Sequence, residues 1–279
     1  MNLPDLSYAM YVARLRYIQS RHEAPQYRNP DMLVRHFIPV RERWRIAWLG
    51  REELSRLRTD PFYYYLIART NYYDYVVNDA VADGVQQIVN VGCGSDTRAY
   101  RFKHLLRSKD VRILECDQPQ AIYAKQRLAK RWRPGDYVEY LPLDLNDNAW
   151  PELEHWLRER TASKALVLME GVSPYVNANT FGQFLLLLAT TLSAGSHVAY
   201  DFKIRGVDDN FGRIGRTQSP FRLSRASAEV ATFHEAHGLR LDRMELSSEL
   251  CVRLLPGLAE SAAPLFSEDG LVQLQVSRA

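Results

Sequence analysis

The stretch Ile88-Val89-Asn90-Val91-Gly92-Cys93-Gly94-Ser95-Asp96-Thr97-Arg98 decides how the rest of the chain is read. A short apolar run rich in β-branched residues fits a buried parallel strand. It stops at two glycines, where the backbone must turn tightly and approach something closely. Thr97 to Leu106 can start a helix, so the loop would present free backbone N–H groups beside a helix N-terminus, an arrangement suited to a nucleotide cofactor. Alone, Gly-x-Gly also marks ordinary turns, so the following strand has to arbitrate.

That strand is Val111-Arg112-Ile113-Leu114-Glu115-Cys116-Asp117, and its last acidic residue lies twenty-three positions beyond Gly94. A carboxylate at the end of the adjacent strand can accept hydrogen bonds from both ribose hydroxyls of an adenosine cofactor. The spacing suits either a dinucleotide or S-adenosylmethionine. Thr97 stands where a dinucleotide fingerprint has its third glycine, so the close helix approach used around a pyrophosphate is missing.

Val89-Asn90-Val91-Gly92-Cys93-Gly94-Ser95-Asp96-Thr97-Arg98-Ala99-Tyr100-Arg101 resembles the Val-Asn-Leu-Gly-Ala-Gly-x-Asp-Thr-Arg-x-Tyr-Arg signature of the leucine carboxyl methyltransferase family, with Cys93 in place of the usual alanine. Further matches follow in the family's order. They are Ala68-Arg69-Thr70 with Asp74, Glu115-Cys116-Asp117-Gln118-Pro119 followed by Lys125, Leu143-Asp144-Leu145, and Met169-Glu170-Gly171-Val172-Ser173-Pro174-Tyr175. The resemblance runs from about Tyr63 to Tyr175. It implies a class I S-adenosylmethionine-dependent O-methyltransferase with S-adenosylhomocysteine as product, built as a doubly wound, mostly parallel, seven-stranded Rossmann-like sheet with an N-terminal helical cap.

The same resemblance assigns cofactor roles. Gly92 and Gly94 form the turn, Asp117 meets the ribose, and Asp144 and Leu145 hold the adenine. Glu170 contacts the methionine end, and Arg69 binds its carboxylate through a planar fork that can donate two parallel charge-assisted bonds. Asp144 also reads as a plain turn or helix N-cap residue, and Asp74 as a structural partner. An acidic Glu170 directly after a buried apolar strand has little purely structural reason to be there.

The chain divides on this reading into a cap and cofactor lid, residues 1–84, and a core, residues 85–279, with a substrate lid near residues 202–223. In the cap, Tyr8, Tyr11, Val12, Leu15 and Ile18 recur at helical spacing, leaving Arg14, Arg16 and Arg21 on or near the other faces, toward solvent; the resemblance implies that one of them instead reaches over the cofactor mouth. Asn29-Pro30-Asp31 is a turn, and Met32 to Leu57 one or two helices. Asp60-Pro61-Phe62-Tyr63 looks like an amino-methyltransferase motif, but it precedes the glycine turn and has Phe62 at the second proline. Asp60 as N-cap and Pro61 at the first helical position explain it, in a helix running to about Val81.

Beyond Asp117 the expected order is a helix over residues 119–131, a strand over 138–143, a helix over 150–160 and a strand over 166–169. A helix over 181–192 and a strand over 197–201 follow, then a helix over 224–237 capped by Ser224. A closing strand pair over 240–245 and 271–277 completes the sheet. Right-handed crossovers then gather Gly92, Asp117, Asp144, Glu170 and Asp201 along one sheet edge, where clustered carboxylates are costly unless they bind something.

A net charge of +3 is too mild to imply nucleic acid, and the arginines between Arg41 and Arg58 are interrupted by Glu42, Glu52 and Glu53, as in a solvated salt-bridged helix. Cys93, Cys116 and Cys251 form no Cys-x-x-Cys pair, which implies a reduced, cytoplasmic chain. Asp5 precedes any long apolar run and no segment approaches a spanning length, so neither signal peptide nor membrane span is expected. Seven histidines lack metal-ligand spacing, so no metal is expected.

The favoured acceptor is a carboxylate on a small molecule or peptide C-terminus, which is ionised at neutral pH and requires no base. A cation should hold its non-reacting oxygen, with Arg205, Arg213 and Arg216 as candidates and Tyr175 as an aromatic wall or hydroxyl donor. A phenolic or enolic acceptor would need a base, for which His197, His234 and His237 are available. An NAD-binding oxidoreductase, or a cofactor-binding protein without catalysis, is the reading from another class. Arg69 and Glu170 argue against NAD, which lacks a zwitterionic end.

Overall fold

The computed structural model describes residues 4–147, 149–207, 220–260 and 263–277. Three helices come first: α1 (Pro4–His22), α2 (Val40–Leu57) and α3 (Pro61–Ala82). Asp60 caps α3 by accepting from the Phe62 backbone N–H at 2.9 Å, with Pro61 at the first position, a cap worth about 1 kcal/mol. The chain then runs β1 (Gln87–Val91), α4 (Arg98–Arg101), α5 (Lys103–Ser108), β2 (Arg112–Asp117), α6 (Pro119–Ala129), β3 (Val138–Pro142), α7 (Pro151–Arg158), β4 (Ala165–Met169), α8 (Ala178–Thr191) and β5 (His197–Ile204). It closes with β6 (Arg222–Leu223), α9 (Ser227–Glu235), β7 (Leu239–Leu246), α10 (Ser247–Leu254) and β8 (Asp269–Val276).

The sheet order is β3-β2-β1-β4-β5-β8-β7, with β6 paired to β5, so the described residues hold eight strands where seven were expected. β1 to β6 pair in parallel, while β8 runs antiparallel between β5 and β7. The order reverses between β2 and β4 on either side of β1, which opens a crevice at the strand C-termini.

Both faces of the sheet are covered, and the two-residue strand period sorts its side chains between two cores. Ile88, Leu166, Leu168 and Ala199 join the core that contains Leu15 and Ile18 of α1 and Tyr63 to Ala68 of α3. Val89, Val91, Val167, Met169, Val198 and Tyr200 join the core of α7, α8 and α9. Every residue of β1 and β4 is buried, and β4 reads as an unbroken apolar run while β1 carries Gln87 and Asn90 among its apolar residues.

Several local expectations change. The helix after the glycine turn breaks into α4 and α5 at Phe102, whose ψ of 16° leaves the helical range. The strand expected to end at Asp201 continues to Ile204, because β8 keeps pairing along it as far as Lys203, opposite Asp269, and β6 pairs with Lys203 and Ile204. Ser224 does not cap α9. Its hydroxyl accepts from Ala226 N–H one turn earlier, and α9 begins at Ser227. The expected lid falls mostly on residues 208–219, outside the described residues, together with Arg213 and Arg216.

Candidate functional site

The crevice at the strand C-termini deepens into a cavity of about 290 Å³, close to the lower bound of about 300 Å³ for small-molecule sites. Gly92, Gly94, Asp117, Asp144, Leu145, Glu170, Arg69 and Tyr175 all line it. So do Arg16, Asp96, Asp201, Lys203 and Asp269, while Tyr8, Phe62 and Val176 add apolar surface.

The glycine turn requires its glycines. Gly92 has φ +65°, and a Cβ there would sit 2.4 Å from Val172 Cγ2, in the turn that follows β4. Gly94, at φ +39°, donates its N–H to Asp117 Oδ2 at 2.6 Å, and Gln118 N–H donates to the other oxygen at 2.7 Å. Burial raises the Asp117 carboxyl above the usual range, partly offset by these two backbone donors. Each oxygen keeps a further lone pair for a ligand hydroxyl. Beneath the turn, the buried pair Lys125–Glu115 anchors it, with Lys125 Nζ donating to the Cys93 carbonyl at 3.2 Å.

An arginine that the sequence reading left without a role organises the opposite wall. Arg98 is only 2% exposed. It donates to Asp74 at 2.8 Å, to Asp96 at 2.7 Å, to Glu170 at 2.8 Å and to the Thr70 carbonyl at 3.1 Å. Arg101, one turn on, binds both oxygens of Asp74. Asp96 is held well below the usual carboxylate range. Its burial acts the other way and is the largest single influence, but Arg98, Lys125 and Arg16 together outweigh it.

Arg69 lies between two acids, with Nη1 3.2 Å from Asp201 Oδ2 and Nε 3.3 Å from Glu170 Oε1. Asp201 also accepts from Gly171 N–H at 2.7 Å and from Tyr73 Oη at 2.9 Å, so one carboxylate sets both the arginine and the turn that carries Glu170. Arg69 Nε, though buried, has no hydrogen-bond partner among the described residues.

Asp144 forms a turn, with Oδ1 accepting from Asn146 N–H at 2.9 Å and Oδ2 from Gln118 Nε2 at 3.0 Å, while it lines the cavity. Asp144 is thus a turn residue that also lies on the cavity wall. Arg205 is exposed and outside the cavity lining. The described cations that line the cavity are Arg16, Arg69 and Lys203. Arg16 is 5% exposed and pairs with Asp31, which accepts from Thr97 Oγ1 at 2.5 Å and so ties α1 to the glycine turn. Lys203 Nζ lies 2.9 Å from Asp269 Oδ1 and 3.1 Å from Glu268 Oε2.

Among His197, His234 and His237 none lines the cavity. His234 is buried against Tyr200 Oη at 2.6 Å, and burial pushes its imidazole down to about 4. Among the described residues no group of His, Cys, Asp and Glu is arranged for a metal ion. No described helix is long and apolar enough to cross a membrane.

The sequence profile of leucine carboxyl methyltransferases matches residues 9–188. A proposed S-adenosyl-L-methionine-dependent methyltransferase of Frankia alni is 27% identical over 205 residues, covering 73% of this chain and 70% of that protein. One so named from Mycobacterium ulcerans is 27% identical over 278 residues, with 86% of each chain covered. In fold, the chain is similar to a proposed methyltransferase from Thermobifida fusca, with a TM-score of 0.57 at 11% identity, covering 99% of this chain and 98% of that one.

Proposed function

The chain belongs to the leucine carboxyl methyltransferase family and is an S-adenosyl-L-methionine-dependent methyltransferase, and we propose that it acts on a carboxylate oxygen to form a methyl ester. When bound, the cofactor supplies an activated sulfonium methyl group. The residues fit such a molecule at each end. Asp117, placed by Gly94 and Gln118, keeps acceptor capacity for ribose hydroxyls. Arg69, a buried planar cation on the cavity wall, suits the methionine carboxylate, and Glu170 suits the ammonium. Asp144 and Leu145 line the cavity beside Asp117, where an adenine would follow the ribose.

For the acceptor, the observation that carries the reading is Lys203, a nearly buried cation on the cavity wall, two residues along β5 from Asp201. Its ammonium would hold the non-reacting oxygen, the task first given to Arg205, Arg213 and Arg216. Tyr8, Phe62, Tyr175 and Val176 would exclude water from the reacting pair and pack an apolar acceptor body. A carboxylate arrives ionised, so alignment and dehydration are what the protein has to provide.

The test is transfer of labelled methyl from S-adenosylmethionine into an extract of the native host, followed by mild base. Volatile labelled methanol supports an ester. Label that is incorporated but stays non-volatile overturns the carboxylate reading and leaves the methyltransferase reading standing.

A further inference from the structure

The histidines offered as bases lie outside the cavity lining, and a carboxylate that the sequence reading did not single out, Asp269, lies on it. Asp269 is 4% exposed and lines the cavity. Its Oδ1 lies 2.9 Å from Lys203 Nζ, at an angle that leaves it without a well-aligned hydrogen bond among the described residues. Antiparallel pairing of β5 with β8 sets it opposite Lys203, and the cofactor roles above leave it unused.

We infer that Asp269 is a general base that gives this site a further activity, methylation of acidic hydroxyls of the phenol or enol class. The inference rests on the methyltransferase reading. In the step, the acceptor O–H proton passes to the Asp269 carboxylate and the oxygen's electron pair forms the new O–C bond to the methyl group. The C–S bonding pair stays on sulfur, leaving S-adenosylhomocysteine. Lys203 steadies the oxyanion as the proton leaves, just as it would hold a carboxylate.

The surroundings suit a base. Asp269 faces Lys203 and Asp201 of β5, Arg69 and Tyr65 of α3, and Tyr8 of α1, with Glu268 beside it on the same pair. Burial raises its carboxyl above the usual range, Lys203 and Arg69 lower it and Asp201 raises it, so its affinity for a proton exceeds that of an exposed aspartate. A positioned general base contributes about a hundredfold to ten-thousandfold to such a transfer.

The experiment compares the full chain with Asp269→Asn. Each is given isotopically labelled S-adenosylmethionine with host extract and with para-hydroxybenzoate, a defined acceptor carrying both groups, and NMR reads label in ester, ether or amine. Calorimetry with S-adenosylhomocysteine checks that the variant keeps its cofactor site. The expected result is ether product from the wild type, with the ether-to-ester ratio at least a hundredfold lower in the variant. In the wild type itself, ether formation should fall as acid protonates Asp269, while ester formation does not follow that step. Label only in esters, an unchanged ratio, or no transfer despite cofactor binding would each overturn the inference. Failure of the wild type to bind the cofactor would instead overturn the methyltransferase reading.

Discussion

Arg98 and Glu170 stand 72 positions apart in sequence and meet at 2.8 Å, joining the segment after the glycine turn to the turn after β4. The same guanidinium holds Asp74 and Asp96, so one buried cation is shared by three carboxylates. Burial opposes its charge, but Asp96, Glu170 and Asp74 outweigh that and keep it protonated.

Removing that cation should therefore be costly. Arg98→Met leaves buried carboxylates without their partner, a class of change that costs about 3–5 kcal/mol. Urea denaturation should show a loss of that order, and a loss below about 1 kcal/mol would mean that the acids find other partners.

Cofactor affinity should depend on both ends of the cavity. Asp117→Ala and Arg69→Met are each expected to weaken S-adenosylmethionine binding more than about tenfold, on the order of 1.4 kcal/mol. Titration calorimetry reads this directly, and an unchanged affinity in either variant removes that residue from the site.

Gly92→Ala meets two separate penalties, the positive φ and the contact with Val172. Adding Val172→Ala should recover part of the lost stability and not the remainder, since left-handed backbone still costs a non-glycine residue about 1–2 kcal/mol. Full recovery in the double variant would show that crowding alone selects glycine.

Stability should also depend on pH through His234. Its folded pKa of about 4 lies below the ordinary 6.5, so the unfolded chain binds the proton first as pH falls. The contribution is complete above the unfolded value and is lost as pH falls from 6.5 through about 4. Between pH 7 and pH 5 that amounts to about 2 kcal/mol. His234→Gln, compared with wild type by urea unfolding at both pH values, should lose that part of the slope, and equal slopes would contradict it.

The sheet was readable because its signals are local. β1 is a short, β-branched, mostly apolar run and β4 a continuous apolar one, ending where Gly92 and Glu170 begin, and Asp60-Pro61 marks a helix start without help from distant residues. The walls of the site were less readable. Arg98 sat in the quoted motif beside one of its acids, Asp96, but the other two, Asp74 and Glu170, come from distant segments and no spacing reveals their meeting. Lys203 and Asp269 are brought together by strand pairing across 66 positions, and the extension of β5 that makes this happen comes from β8 rather than from the residues of β5. Arg16 was one of three arginines on α1, and only the packing of that helix chose it. Arg205 was drawn by position alone, next to Lys203, which takes the cavity wall instead.

The central claim is that this cavity holds S-adenosylmethionine. Calorimetric titration of the wild-type chain with S-adenosylmethionine and, separately, with NAD tests it most directly. The account predicts saturable binding of S-adenosylmethionine at one site per chain and none of comparable strength for NAD. Tight NAD binding with no response to S-adenosylmethionine would contradict it.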